Sequence, residues 1–253
     1  MHWIRFNDWC ALHSIRGHVR DSHGVHAAWS HTRLIINNLT APIGPVASVA
    51  DLRGRARAAI ADAAPHKLPW MFGIPEPWLP VSLDEANAVL STTGLRYKMY
   101  MTVMECAGPL AGPLRPLPQD VEIRRVDSAE LRSVAINLNC QAYDIPGEIA
   151  AEALGANLYF SDPEKEFGFV VYDREGIPVS TATAIDLGGW MYIAAVATAE
   201  EHRRQGYAEV AVRAALAAAP EKPTSLDATR TGEPLYAQMG YRRQFRWNFW
   251  EME

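Results

Sequence analysis

The stretch Gly108-Pro-Leu-Ala-Gly-Pro-Leu-Arg-Pro-Leu-Pro118 limits how this chain folds more than any other feature, because six of its eleven residues are glycine or proline. Proline fixes φ and has no amide hydrogen, and glycine gives up more backbone freedom than any other residue, so neither a helix nor a central strand runs through it. It reads as an interdomain linker. Residues 1–107 then form one part and 119–253 the other, each of ordinary domain size. With 49% hydrophobic and 21% charged residues, the chain has globular proportions, which exclude a disordered or fibrous protein.

Twenty-four Lys and Arg stand against 29 Asp and Glu, a net charge of −5. The basic excess of a nucleic-acid binder is missing, so no nucleic-acid partner is expected. The longest apolar run, Val210–Ala219, is interrupted by Arg213 and reaches about half the ~20 residues of a membrane helix. The start, with Arg5, Asn7 and Asp8, lacks the apolar core of a signal peptide, and a cytoplasmic location without a membrane partner is expected. Cys10, Cys106 and Cys140 are widely spaced, with no CxxC, and give neither a disulfide framework nor a zinc ribbon. Seven of eight histidines precede Lys67, and His18, His23, His26 and His31 match no HExxH spacing, so no metal is expected.

Beyond the linker the pattern is legible. Val121–Val126 alternates as a strand, and Asp127-x-x-Glu130 is a capping box for a helix running to about Gln141. Phe167–Asp173 and Pro178–Ile185 form a hairpin, and Trp190–Thr198 is apolar enough to be central. A helix from Tyr207 to Ala219 is stopped by Pro220, a short strand follows at Ser225–Ala228, and a helical turn with Leu235, Tyr236 and Met239 ends at Gly240. Tyr241–Met252 alternates as a closing strand. Before the linker, Arg33–Leu39 and Lys98–Met104 read as strands, and Val49–Ala64 and Leu83–Ser91 as helices. The proline-rich aromatic run Pro69–Pro80 reads as a loop used for core packing or docking that could wall an acceptor pocket.

The segment that carries chemistry lies between the central strand and the long helix. A helix start offers unpaired N–H groups and the positive end of the macrodipole, which together favour a phosphate anion. Gly206 and Ala208 keep that backbone approachable, and the guanidinium groups of Arg203 and Arg204 match phosphate oxygens. A pyrophosphate fits here, although Glu200–Gln205 also reads as an ordinary solvated helix start.

Arg203-x-x-Gly206-x-Ala208 resembles the R/Q-x-x-G-x-G/A loop of the GNAT superfamily of acyl-CoA-dependent N-acyltransferases, and Leu235-Tyr236-Ala-Gln-Met-Gly240-Tyr241 resembles its LYxxxGF ending. The likeness covers about Val121 to Glu253 in element order. It implies a mixed α/β, mostly antiparallel central sheet flanked by helices, preceded here by a smaller α+β domain. It also implies acetyl-CoA as co-substrate: pantetheine amides paired with Val196, Ala197 and Thr198, the pyrophosphate held by Arg203, Arg204, Gln205, Gly206, Tyr207 and Ala208, and a slot where the central strand and the next one splay. Tyr236 matches the general acid that protonates the leaving thiolate, and the backbone N–H near Val196 is the expected oxyanion donor.

Two positions depart from the family pattern. Thr229, a further cofactor contact by analogy, stands where many members have Asn, and Ala208 replaces the commoner second Gly. No single general base stands out: Glu166, Asp186 and Tyr192 lie near the slot, and each reads equally well as a solvated or cross-strand residue. Tyr143 and Asp144 are acceptor-pocket candidates by analogy, while a capped loop is the better reading. The N-terminal half, with Leu90-Ser-Thr-Thr-Gly94-Leu95 faintly similar to LYxxxGF and no phosphate loop, reads as a degenerate, non-catalytic copy that shapes the acceptor site. The function expected is direct acetyl transfer to a small-molecule amine in a ternary complex. The alternative is a catalytically silent acyl-CoA-binding module, and homo-oligomerisation stays open.

Overall fold

Serine side chains start several of the helices, and apolar alternation builds the strands between them. The computed structural model describes residues 2–113, 115–153 and 162–253, with side chains from Arg5 onward. The first half runs α1 (His2–Leu12), β1 (His18–Ser22), β2 (Val25–Trp29), β3 (Asn38–Pro42), α2 (Val49–Ala63), β4 (Met71–Pro75), α3 (Leu83–Ser91) and β5 (Leu95–Cys106). The second runs β6 (Glu122–Arg125), α4 (Ala129–Tyr143), α5 (Gly147–Ala153), β7 (Glu166–Tyr172), β8 (Pro178–Asp186), β9 (Met191–Thr198), α6 (Tyr207–Leu216), β10 (Thr224–Ala228), α7 (Glu233–Gln238) and β11 (Arg242–Met252). No helix among the described residues is long and apolar enough to cross a membrane.

The chain divides into two compact units, Met1–Phe6 with Met104–Arg243 and Asn7–Val103 with Gln244–Glu253. In the first of these, the C-terminal unit, the strands follow the order β10-β9-β8-β7-β6. The β6, β7, β8 and β9 ladders are antiparallel, and β10 joins β9 in parallel. One sheet face buries Ala182, Ala184, Met191, Ile193 and Leu226 with Val210, Ala211 and Ala215 of α6. On the other face Val170, Tyr172 and Ala197 pack with Ala135 and Leu138 of α4. The α4 cap is Ser128, whose side chain accepts the Leu131 N–H at 3.2 Å, rather than the Asp127–Glu130 box read from sequence. Its extended backbone aims the hydroxyl back at the first turn. Helix α6 ends at Leu216, short of Ala219, since a residue before proline disfavours helical backbone.

The N-terminal unit has the order β1-β2-β3-β4-β11-β5. Its core includes Trp29, Leu52, Phe72, Ile74, Leu90, Leu95 and Trp250. The β1–β2 hairpin, which sequence reading passes over, turns through His23 and Gly24, both at positive φ, as a two-residue hairpin turn requires. The strand expected at Arg33–Leu39 is instead a short 3-10 turn at Ile35–Asn37, with β3 beginning at Asn38. The proline-rich run contains a strand, β4, buried throughout: Pro69 precedes it and Pro75 is its last residue, so neither breaks it from within.

Two segments sit differently from the sequence partition 1–107, 108–118 and 119–253. Residues Gln244–Glu253 belong to the N-terminal unit, where Trp247–Trp250 pair antiparallel with Pro75–Phe72 and Trp250 Nε1 donates to Asn87 Oδ1 at 2.9 Å. The Gly/Pro segment, of which Leu114 lies outside the described residues, packs in the C-terminal unit. There Ala111 N–H donates to the Met239 carbonyl at 2.9 Å, Arg213 donates to the Ala111 carbonyl, and the half-buried Leu110 and Leu117 pack against the core. Chain without ladder partners still satisfies its backbone by leaning on helices.

The element order repeats. After an initial helix come three strands, a helix, a strand, a helix and a strand, once from α1 to β5 and again, with α5 added, from α4 to β11. The pairing senses repeat too, since β1–β2–β3 and β7–β8–β9 are antiparallel while β3–β4 and β9–β10 are parallel. Trp250 is fully buried in the N-terminal core, so Trp250→Ala should cost about 3–5 kcal/mol. Urea denaturation followed by probes in each unit should report that loss in the N-terminal unit.

Candidate active site

Strand β9 has two irregularities, and the site is built on them. Its parallel ladder with β10 holds only Met191–Ile193 against Thr224–Leu226, although β10 continues to Ala228 and β9 to Thr198. Beyond that last rung the two strands part. On its other side the β8 register jumps from Thr183↔Ala194 to Thr181↔Ala197, leaving Ala195 and Val196 unmatched. Ala195 has φ +51°, a left-handed conformation that a residue with a Cβ adopts rarely, and it bends the strand at a β-bulge. The Tyr143 hydroxyl donates to the Val196 carbonyl at 2.5 Å, and Arg203 Nε reaches the Thr198 carbonyl at 3.4 Å. Each carbonyl has two lone pairs, so an incoming amide can share it.

Beyond β9 the chain makes a short 3-10 turn at Glu200–His202, and Arg204 (φ +65°) and Gly206 (φ +94°) then turn it into α6. No side chain caps α6, and the first backbone N–H to bond back is that of Val210, to the Gly206 carbonyl. The N–H groups of Tyr207, Ala208 and Glu209 therefore face outward at the positive end of the helix. A cavity of about 330 Å³ opens there, lined by Thr198, by Arg203 to Ala208 and by Leu235. Its far wall is the Gly/Pro segment at Arg115, Pro116 and Leu117. Pro118 lies so near Gly206 that a Cβ there would meet its Cδ at 3.0 Å.

The fold thus gathers seven of the sequence-derived cofactor residues, Thr198, Arg203, Arg204, Gln205, Gly206, Tyr207 and Ala208, around one cavity. Val196 and Ala197 lie upstream on β9, outside its lining. Thr229 is elsewhere too. Its Oγ1 accepts the Gly232 N–H at 3.2 Å and its carbonyl accepts those of Gly232 and Glu233, so it closes the turn that leads into α7.

Tyr236 is buried on α7, next to Tyr241 in a T-shaped pair at 5.8 Å. Burial raises its pKa well above the ordinary phenol value, and Tyr143 and Tyr241 add to the effect, so its proton is retained at neutral pH. The Tyr143 ring is half exposed, but its hydroxyl is sheltered and its pKa is also raised by desolvation. Asp144, in left-handed conformation, is the C-cap of α4.

Of the base candidates, Asp186 is tied to Lys222 at 2.5 Å. Burial acts to raise its pKa, but the Lys222 contact and the Gly188 N–H outweigh it and hold the carboxyl below its ordinary value. Glu166 is buried at the start of β7, opposite Ile185. Sequence reading misses the wall at Arg115–Leu117 and it misses Asp227 on β10, whose Oδ1 is closed off from solvent. One signal was available: a carboxylate inside the otherwise uncharged strand Thr-Ser-Leu-Asp-Ala. Among the described residues no group of three His, Cys, Asp or Glu side chains is placed to hold a metal ion.

This architecture, a mostly antiparallel sheet flanked by helices with a parted parallel strand pair leading into an uncapped helix, is a GNAT-like fold. The acetyltransferase (GNAT) family model matches residues 135–241, within this domain. No curated protein matches the chain. Among solved structures, a GCN5-related N-acetyltransferase from Kribbella flavida is similar over 93% of this chain and 89% of its own, with TM-score 0.69 and 18% identity. A GCN5-related N-acetyltransferase from Sphaerobacter thermophilus is similar over 91% and 76%, with TM-score 0.62 and 17% identity. A tandem GNAT protein from the clavulanic acid biosynthesis pathway is similar over 90% and 78%, with TM-score 0.52 and 13% identity. At these identities the likeness establishes the fold alone.

The Gly206 conformation is unfavourable for any residue with a Cβ, and Pro118 adds steric pressure. Gly206→Ala should therefore destabilise the C-terminal unit by about 1–2 kcal/mol, read as a lowered thermal midpoint without any ligand.

Proposed function

We propose that the chain is an acetyl-CoA-dependent N-acetyltransferase that transfers its acetyl group directly to an amine of a small molecule. The observation that carries this reading is the α6 N-terminus: outward N–H groups, no side-chain cap, two arginines and an adjoining cavity. These residues fit a pyrophosphate in charge and in donor geometry. The edge of β9 from Val196 to Thr198 is the proposed partner of the pantetheine amides. The co-substrate supplies an activated acetyl carbonyl. Tyr236, neutral at physiological pH, is the proposed acid for the departing thiolate.

The N-terminal unit is, in this reading, a non-catalytic copy. Its equivalent helix start is already satisfied: Ser48 accepts the Asp51 N–H at 3.2 Å, and the Asp51 carboxylate accepts the Ala47 N–H at 2.9 Å. Arg55 is bound to the Gly44 and Pro45 carbonyls. A resident carboxylate repels a phosphate from that helix end. Where the second copy has Tyr236 four residues before Gly240, the first has Leu90 four residues before Gly94, with no proton to give. We propose that this unit shapes the choice of amine and that the protein acts in the cytoplasm.

Acetyl-CoA should raise the thermal midpoint of the wild type, and calorimetric titration should give one site per chain. The double change Arg203→Ala with Gly206→Glu should abolish both; an unchanged shift would sink the phosphate assignment. Tyr236→Phe should keep binding but lower kcat about 100-fold, followed as free thiol released in the presence of an amine panel.

A further inference from the structure

The two faces of the C-terminal sheet differ in chemistry. Ala182, Ala184, Met191, Ile193 and Leu226 fill the face against α6. Alternation turns Thr183, Tyr192, Ser225 and Asp227 to the opposite face, and the rungs Ile185↔Tyr192 and Tyr192↔Ser225 keep them in one patch. Thr183 Oγ1, Ser225 Oγ and Asp227 Oδ1 are each buried with no hydrogen-bond partner among the described residues. An unpaired buried polar atom is costly, and three on one patch of a sheet indicate a place built for a polar guest.

Asp227 is the first residue of β10 past the last rung to β9, at the mouth of the gap where the strands part. Resting on the acetyltransferase reading above, we propose that Asp227 is the general base of the reaction and that the patch around it receives the acceptor as a protonated amine. The carboxylate takes one proton from the ammonium group, and the nitrogen lone pair then attacks the acetyl carbonyl carbon. The C–S bond breaks and the thiolate takes the Tyr236 proton. The second proton shed by the amide nitrogen restores the Tyr236 phenol, and the proton on Asp227 passes to solvent. Each turnover converts one ammonium and one thioester into one amide, one thiol and one released proton.

The environment suits the task. Burial pushes the Asp227 pKa up to about 7, partly offset by the Tyr192 hydroxyl, which donates to the carboxyl. A base whose pKa lies near the working pH combines availability with driving force. Tyr192 is the titratable group facing Asp227 across the β9–β10 pair, and its ring stacks on Phe6 at 4.5 Å. Glu166 lies on the same face but two strands away from β9, and Asp186 is held by Lys222. Tyr192 is a positioning residue: by donating to the ionised carboxylate it holds the pKa down.

The test follows thiol release from acetyl-CoA between pH 5 and 10 with tyramine, spermidine, glycinamide and lysine, using the full chain. Wild-type kcat should rise through about pH 7 to a plateau, with a midpoint that does not move between amines of different basicity. Asp227→Asn should keep the acetyl-CoA thermal shift, lose about 100-fold in kcat and lose that limb. Tyr192→Phe should move the limb to higher pH, and it tests the idea even if Asp227→Asn fails to fold. Wild-type kcat and an intact limb in Asp227→Asn, or an unmoved limb in Tyr192→Phe, would overturn the base assignment and leave the acetyltransferase reading standing. Absence of thiol release by the wild type with all four amines would overturn both.

Discussion

The parallel ladder between β9 and β10 governs the candidate site because it stops early. Three rungs, from Met191–Thr224 to Ile193–Leu226, are enough to fix the two strands side by side. Past them the bulge at Ala195 bends β9 away, and the parted strands expose backbone groups that would otherwise satisfy each other. Such groups must find partners elsewhere. On β9 they are borrowed by Tyr143 and Arg203, two side chains that a substrate amide can join or displace. A strained, non-glycine residue persists only where its surroundings over-determine it. Here the β8 ladder on both sides of the bulge does that.

The two copies of the fold put one physical device to opposite uses. Both follow a parallel-paired strand with a helix whose N-terminus has unpaired N–H groups. At α2, Ser48 and Asp51 fill that end from within the chain, a local solution that favours stability. At α6, a glycine at φ +94° replaces the cap and the end is left available. An uncapped helix start forgoes the roughly 1 kcal/mol that a good cap contributes, and the deep packing of Val210, Ala211 and Ala215 makes that tolerable.

What the sequence disclosed and what it hid follow from the range of the interactions involved. The turn from Arg203 to Ala208 was legible because it is made by adjacent backbone, and local spacing encodes local geometry. The β7–β8 hairpin and the α6 and α7 helices were legible through periodicity and turn residues. Asp227 was not, because its significance depends on where a ladder with a distant strand ends. Nor was the membership of β11, since alternation says that Gln244–Glu253 is a strand but not which neighbour it takes; Trp250 and its bond to Asn87 decide that. Strand β4 escaped because its prolines lie at its margins, where they cost no ladder bond. Thr229 stands at the position where many family members have Asn, yet its shorter hydroxyl is consumed in closing the turn before α7.

The Gly/Pro segment follows the same logic. Proline-rich chain makes few hydrogen bonds of its own, so its place is set by the surfaces that accept it. Ala111 is held at both its amide and its carbonyl, by Met239 and Arg213, while Leu110 and Leu117 pack against the core. That anchoring presents Arg115, Pro116 and Leu117 as the wall opposite the α6 N-terminus. Pro116 brings no side-chain entropy to lose when a ligand is enclosed, and Arg115 adds a third guanidinium to a cavity already carrying two. A segment with the composition of a linker is therefore built into the fold as one side of a cavity, and its length is constrained by the width of the cavity it closes.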